Sequence, residues 1–481
     1  MTPVLACENL SVRYANGAAP VQAVSFTVSP GECFALVGGS GAGKSTIAKA
    51  LVGLHNSATR VTGKLDIAGS EMIGAAHSSW QTIRGRKVGF VAQNPWASCD
   101  PLRPVRDHIG EAWRCHGLAV SWPEIAARLD GLGVTDAQSR MRQHPHTWSG
   151  GMLQRASIAA AGALVPPLLV ADEPTSALDA DRAQSVMDAL RSLGSAVVLI
   201  SHDIGLVLEH ADRVGILHDG TLVENDAPDV LRNAPKHPET KRLLAAIAPL
   251  PERGRPVDTQ ALLRMTGVSA TYDKGRVKAL SGANLEIAAG QIVGIQGPSG
   301  CGKSTLLRLA MGIETPTAGR VLRADAARRP GAIQPVFQDA LGSLVPHWPI
   351  WRSVTEPLTA PGQKRRTQKQ RRQAAEIALE QVGLGEIDPD ARPLELSVGQ
   401  CQRVALARAT IAEPAMIVAD EPTSALDSPS TWLVSNLLRE AAERGTAVLV
   451  VSHDRDFLDR LADHLVTMNA GRTLGDRVSE R

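Results

Sequence analysis

Two segments of this chain share a glycine-rich pattern ending in Lys-Ser-Thr. One runs Gly38-Gly39-Ser40-Gly41-Ala42-Gly43-Lys44-Ser45-Thr46, the other Gly297-Pro298-Ser299-Gly300-Cys301-Gly302-Lys303-Ser304-Thr305. Glycines spaced in this way let successive backbone N–H groups turn inward around phosphate oxygens. A helix starting at the end of the loop adds partial positive charge. Lys44 and Lys303 would then reach the β- and γ-phosphates of a nucleotide, with the hydroxyls of Ser45 and Ser304 on Mg²⁺. The pattern carries weight only between a strand and a helix. Both copies meet that condition: apolar Cys33–Val37 and Ile292–Ile295 precede them, and the helical patterns IAKALVGL and LLRLAMGI follow.

A second group of residues suits phosphoryl transfer. The apolar runs LLVADE and MIVADE end in the carboxylate pairs Asp172-Glu173 and Asp420-Glu421. Asp172 and Asp420 are expected to steady Mg²⁺. Strand alternation would point Glu173 and Glu421 to the other side, where they could polarise water. His202 and His453 follow the apolar runs VVLIS and VLVVS, and as a matched pair they are expected at the γ-phosphate.

The pairs exist because the chain repeats itself once. Lys44 and Lys303 are 259 residues apart, Asp172 and Asp420 are 248 apart, and His202 and His453 are 251 apart. One repeat at nearly one offset is a duplicated domain, not a solenoid of short units. The expected boundaries are a first domain over 1–247, a linker over 248–261 and a second domain over 262–481. The linker, APLPERGRPVDTQA, has three prolines and no apolar period. Extended, it would reach about 45 Å. The stretch from lysine to the next glutamine (Gln93, Gln338) is 49 residues in the first half and 35 in the second, which predicts that the second half has lost a hairpin.

Composition narrows the class. Across 481 residues the chain is 43% hydrophobic and 21% charged, with a net charge of +2. It can bury real cores, and it lacks the basic excess of a dedicated nucleic-acid binder. The cluster QKRRTQKQRRQ (363–373) has six basic residues and no interleaved aromatics, so it reads as a solvated helix face. The six cysteines form no CxxC pair, which leaves zinc and iron–sulfur readings without support. The N-terminus has no basic start followed by an apolar run, so no secretory leader is expected. The most apolar stretch, Ala159–Ala171, is interrupted by Pro166 and Pro167 and falls short of a membrane span.

The phosphate loops, the DEPTSALD segments and the two SHD segments together resemble the ATP-binding domain of ABC transporters, twice over and along nearly the whole chain. The resemblance implies an α/β fold in each half: a mostly parallel core sheet, an antiparallel β subdomain and a helical subdomain. It implies that Gln93 (VAQNP) and Gln338 (VFQDA) sense Mg²⁺ and the membrane partner. WSGGMLQR and LSVGQCQR would be the signature segments, with Ser149, Gly150 and Gly151 offering donors to ATP held by the other half. Ser397, Gly399 and Gln400 would do so in return. Asp179 and Asp427 would lie in loops connecting the two sites. Tyr14 and Tyr272, the only tyrosines, precede their lysines by 30 and 31 residues and would be adenine platforms. The signatures depart from LSGGQ at Trp148, Met152 and Val398, which predicts unequal sites.

The closer resemblance is to the importers of peptides, opines and nickel, carried by the tail LRNAPKHPETKRLLAAI (231–247), by QNPWASCDP and by both signatures. It implies an ATPase that binds ATP and Mg²⁺ and pairs its halves intramolecularly. It further implies a peripheral location on the cytoplasmic face of the inner membrane, two integral membrane permease subunits and an extracytoplasmic binding protein. No nucleic-acid partner is expected. The alternatives are an exporter ATPase, or a soluble ABC protein acting on ribosomes or nucleic acid.

Overall fold

The computed structural model describes residues 2–39, 41–175, 180–248, 260–273, 276–298, 300–424, 426 and 428–478. Ser40, Ser299, Asp179 and Asp427, and residues 249–259 of the expected linker, lie outside them. The chain forms two compact units, Met1–Ile247 and Ala248–Arg481.

In the first unit the core sheet runs Val88–Val91, Leu168–Asp172, Ala196–Ser201, Cys33–Gly38, Arg213–His218, Thr221–Asp226. All neighbours are parallel except the last pair. The inner strands CFALVG, LLVAD and AVVLIS are apolar almost throughout and wholly buried, as a sheet covered on both faces requires. Cys33, Ala35 and Val37 pack into one core, and Phe34 and Leu36 into another on the opposite face. The second unit repeats this order with Ile333–Val336, Met416–Asp420, Ala447–Val451, Ile292–Gln296, His464–Asn469 and Arg472–Val478. Each unit adds a three-stranded antiparallel sheet, centred on Leu5–Arg13 in the first and Ala261–Tyr272 in the second. Each also has a helical segment between its glutamine and its acid pair. The parallel strands all deliver their C-terminal ends to one edge, where such sheets bind ligands.

The structure locates the expected loss of a hairpin: in the first unit the chain after Arg60–Ile67 turns back through Ala68 and Gly69 so that Asp66 pairs antiparallel with Glu71, and the second unit has no counterpart among its described residues. Both units keep the strand–helix–strand series after the phosphate loop: Arg60–Ile67, His77–Ile83 and Val88–Val91 in the first, Ala318–Arg323, Asp325–Arg328 and Ile333–Val336 in the second. The shortening falls mainly on the turn over residues 68–76, which in the second unit is Ala324 alone.

The basic cluster is only partly a solvated helix face. Thr367 caps the helix Gln368–Gln381. Arg371 lies over the Trp351 ring at 5.5 Å, and Arg372 pairs with Asp390 at 2.7 Å. Lys364, Arg365, Arg366 and Lys369 are exposed, the first three before the helix begins. No described helix is long and apolar enough to cross a membrane.

The tail of the first unit is held by one buried acid. Glu224, on the edge strand Thr221–Asp226, accepts hydrogen bonds from the Lys236 and His237 amides and the Thr240 hydroxyl. That ties down the helix Pro238–Ala245. Burial pushes the Glu224 carboxyl up, but these hydrogen bonds outweigh it and hold it below the usual carboxylate range. Glu224→Ala orphans three donors at once and is expected to destabilise the first unit by about 3 kcal/mol, against about 1 kcal/mol for Thr240→Val. Urea denaturation followed by circular dichroism checks both. Because the folded-state value is depressed, Glu224's contribution is present above its unfolded value of about 4.3 and is lost as pH falls below it.

Candidate functional site

The two phosphate loops have matching geometry. Each leaves the end of its central strand and enters a helix, Lys44–Leu51 or Lys303–Met311. Gly43 and Gly302 cap these helices with φ of 102° and 106°. A Cβ at Gly43 would meet the Pro20 carbonyl oxygen at 2.2 Å, and one at Gly302 the Ala279 oxygen at 2.4 Å. Glycine is therefore required at both positions by backbone angle and by space. Lys44 Nζ donates to the Gly38 and Gly39 carbonyls at 2.8 and 3.0 Å. Lys303 Nζ donates to those of Gly297 and Pro298 at 2.7 and 3.0 Å. Both lysines are buried and arched over their own loops.

Next to each loop stands a serine–aspartate pair. Ser45 Oγ donates to Asp172 Oδ1 at 3.1 Å, and Ser304 Oγ to Asp420 Oδ2 at 3.3 Å. Burial raises both aspartate carboxyls above the usual range. Hard oxygen donors beside an under-compensated buried carboxylate suit Mg²⁺, so the residues fit the ion implied by the sequence.

Glu173 and Glu421 follow these aspartates, but strand alternation is not what turns them aside. Both strands end at the aspartate, and the glutamates adopt left-handed backbone angles, φ 47° and 50°. Their amides still bond to the neighbouring strand, at Ile200 O (2.8 Å) and Val451 O (2.9 Å). Non-glycine residues rarely hold this conformation, and where they do it tends to mark function. It swings each carboxylate toward its histidine. His202 Nδ1 lies 3.4 Å from Glu173 Oε1, and His453 Nε2 lies 3.2 Å from Glu421 Oε1.

The two glutamates differ in their surroundings. Gln93 Nε2 donates to Glu173 Oε2 at 2.7 Å. Among the described residues Gln338 makes no such bond to Glu421; it is exposed at the surface of its unit. The hydrogen bond to His202 lowers the Glu173 carboxyl, whereas burial raises that of Glu421.

The signature segments open helices. Ser149 caps Gly150–Ala161 by accepting from the Met152 amide, and Ser397 caps Val398–Thr410 by accepting from the Gln400 amide. Only the second closes the reciprocal bond, with Gln400 Oε1 accepting from the Ser397 amide at 2.8 Å. Met152 has no oxygen to do this. None of Gly150, Gly151, Val398 and Gly399 is in the positive-φ region.

Each tyrosine leans over the helix behind its phosphate loop. Tyr14 Oη lies 2.9 Å from Thr46 Oγ1, and Tyr272 Oη 3.4 Å from Thr305 Oγ1. Two further residues join them that the motifs did not reveal. His55 sets its ring edge-on to Tyr14 at 6.2 Å and bonds to the Thr46 carbonyl at 3.0 Å. Glu314 accepts a hydrogen bond from the Tyr272 hydroxyl. Each stands 11 residues after its lysine, a matched spacing that could have flagged both.

Known proteins resemble the chain along its length. The family described as ABC transporter matches residues 21–176 and 280–424. The peptidoglycan transport ATP-binding protein of Agrobacterium fabrum is 34% identical, over 98% of this chain and 92% of its own length. The oligopeptide transport ATP-binding protein of Mycobacterium tuberculosis is 32% identical, over 100% and 96%. The glutathione import ATP-binding protein of Pectobacterium atrosepticum is 31% identical, over 98% and 85%. These relatives align through both halves, so the tandem arrangement is shared. A solved archaeal ribosome recycling factor, in complex with ribosomal stalk protein aP1, matches with a TM-score of 0.66 at 21% identity, over 98% of this chain and 90% of that one. At that identity the likeness is one of fold.

Proposed function

The chain belongs to the ABC transporter family and is one of its ATPases, and from that premise we propose that it energises import of peptides or small peptide-like solutes through two membrane permease subunits. The observation that carries this reading is the complete catalytic set in each half: arched lysine, serine–aspartate pair, and glutamate turned onto its histidine. Relatives named for peptidoglycan, oligopeptide and glutathione transport support the cargo class. None of these three is named for nickel, so peptide cargo is the reading preferred here over nickel or a metal chelate. The ribosomal alternative rests on a likeness of fold alone. Delivery by an extracytoplasmic binding protein and a place on the cytoplasmic face of the inner membrane complete the proposal.

In this reading Ser45, Asp172 and Gln93 hold Mg²⁺ in the first half, and Ser304, Asp420 and Gln338 in the second. Mg²⁺ would neutralise charge building on the β- and γ-phosphates. The loops bind the phosphates through Gly38, Gly39, Ser40, Gly41, Gly43, Lys44 and Thr46, and through Gly297, Ser299, Gly300, Gly302, Lys303 and Thr305. Glu173 and Glu421 accept the proton of the attacking water. His202 and His453 orient them and meet the γ-phosphate. The test is reconstitution with the permeases in vesicles: a di- to pentapeptide with its binding protein should stimulate ATP hydrolysis and accumulate inside. Stimulation by a nickel chelate alone, or outward transport, would contradict the reading.

We also propose that the halves pair head to tail, so that Ser149-Gly150-Gly151 complete the site on Lys303 and Ser397-Val398-Gly399-Gln400 the site on Lys44. Backbone angle does not separate Gly150 from Val398, because both open ordinary helices. Space does. A Cβ at Gly150 would meet nothing of its own unit closer than Trp96 Nε1 at 3.8 Å. The fold therefore does not demand glycine there, and its absence of side chain leaves room for phosphate. Val398 is 56% exposed, and in the proposed pairing its side chain would take up that room. The site on Lys303 should turn over faster, by about threefold or more; neighbouring donors remain, which keeps the difference below the ~2.7–4 kcal/mol of a lost oxyanion donor. Glu421→Gln should then cost the transporter more activity than Glu173→Gln, and Val398→Gly should raise turnover. Equal losses with no gain from Val398→Gly would show that the valine is tolerated.

A further inference from the structure

We propose that Glu314 is a positioning residue of the second nucleotide site, fixing the Tyr272 ring in advance for a nucleobase to stack on it. The inference rests on the reading of Tyr272 as the adenine platform and extends it to a residue outside every motif. The Tyr272 hydroxyl donates to Glu314 Oε2. An ionised carboxylate accepts this bond more strongly than a neutral oxygen does. The carboxylate is steadied in turn by Arg308, whose Nη1 lies 3.4 Å from Glu314 Oε1. Thr305 Oγ1, at 3.4 Å from the tyrosine oxygen, ties the same group to the phosphate-loop helix. The ring is 37% exposed, so it is held at its tip while part of it stays open.

The first half solves the same problem differently. Its matched position is His55, which bonds to the backbone of Thr46 and meets the Tyr14 ring by its edge; among the described residues the Tyr14 hydroxyl bonds to Thr46. Among the described residues, a charge-assisted anchor is therefore found in the second half and not in the first. Without it the ring would have to be ordered when nucleotide binds, at a cost of about two- to tenfold in affinity. Only contacts to the base should suffer, because the phosphates are held by the loop and Lys303.

The experiment titrates the full chain, in a Lys44→Ala background that disables the first loop, with ATP and separately with inorganic triphosphate. Glu314→Ala should weaken ATP binding about two- to tenfold and leave triphosphate binding unchanged. Tyr272→Phe should reproduce that loss, and adding Glu314→Ala to it should cost nothing more. Glu314→Gln keeps an acceptor and should recover most of the affinity. Unchanged ATP affinity in Glu314→Ala, or an equal loss for triphosphate, would overturn the positioning role while leaving the platform intact. If Tyr272→Ala itself leaves ATP binding unchanged, the platform reading fails, and the proposal with it.

Discussion

The double variant Glu173→Gln, Glu421→Gln is expected to bind ATP normally and to hydrolyse it about 10²–10⁴-fold more slowly. Glutamine keeps the shape and one oxygen of glutamate but cannot accept a proton from water. Both side chains occupy their positions through a left-handed backbone turn, and their amides stay bonded to the neighbouring strand at Ile200 and Val451. The substitution leaves that turn in place, so the loss should fall on chemistry and not on folding. Phosphate release under saturating ATP measures the rate, and equilibrium dialysis measures binding. With ATP trapped, the proposed pairing of the halves should also make the monomer elute as a more compact particle. Retained turnover would remove the glutamates from the mechanism.

Lys44→Ala and Lys303→Ala should each weaken ATP binding at their own site by about 10- to 100-fold, the factor corresponding to one charge-assisted hydrogen bond. Each ammonium is buried and already arched over its loop by two carbonyl bonds. The binding geometry is therefore formed before nucleotide arrives, and little is spent on rearrangement. Calorimetric titration of either single variant should give one strong and one weak site. Two unchanged sites would refute the assignment of both loops.

The candidate site is legible in the sequence because its residue types stand at strand ends. Lysine after a glycine loop, aspartate and glutamate after an apolar run, and histidine after another all fall at one edge of a parallel sheet. Duplication made each accident of composition testable against its copy. What stayed hidden depends on single backbone angles or on distant contacts. Nothing in LLVADE or MIVADE distinguishes a glutamate that continues the strand from one that reverses its φ. Spacing shows that the second half is shorter by about a hairpin after its loop, but not that the missing piece is the turn-back at Ala68 and Gly69, beyond the three sheet strands. Glu314 meets Tyr272 across 42 residues of chain and carries no motif. Arg371 looked like part of a charged surface, and the Trp351 beneath it could not be assigned from sequence.

Two ATP sites are proposed on one chain. They are tested most directly by counting nucleotide bound per chain in the Glu173→Gln, Glu421→Gln protein with Mg²⁺ and saturating radiolabelled ATP. Two ATP per chain are expected, falling to one in a Lys44→Ala or Lys303→Ala background at limiting nucleotide. A single ATP per chain in the protein with both lysines present would contradict the proposal.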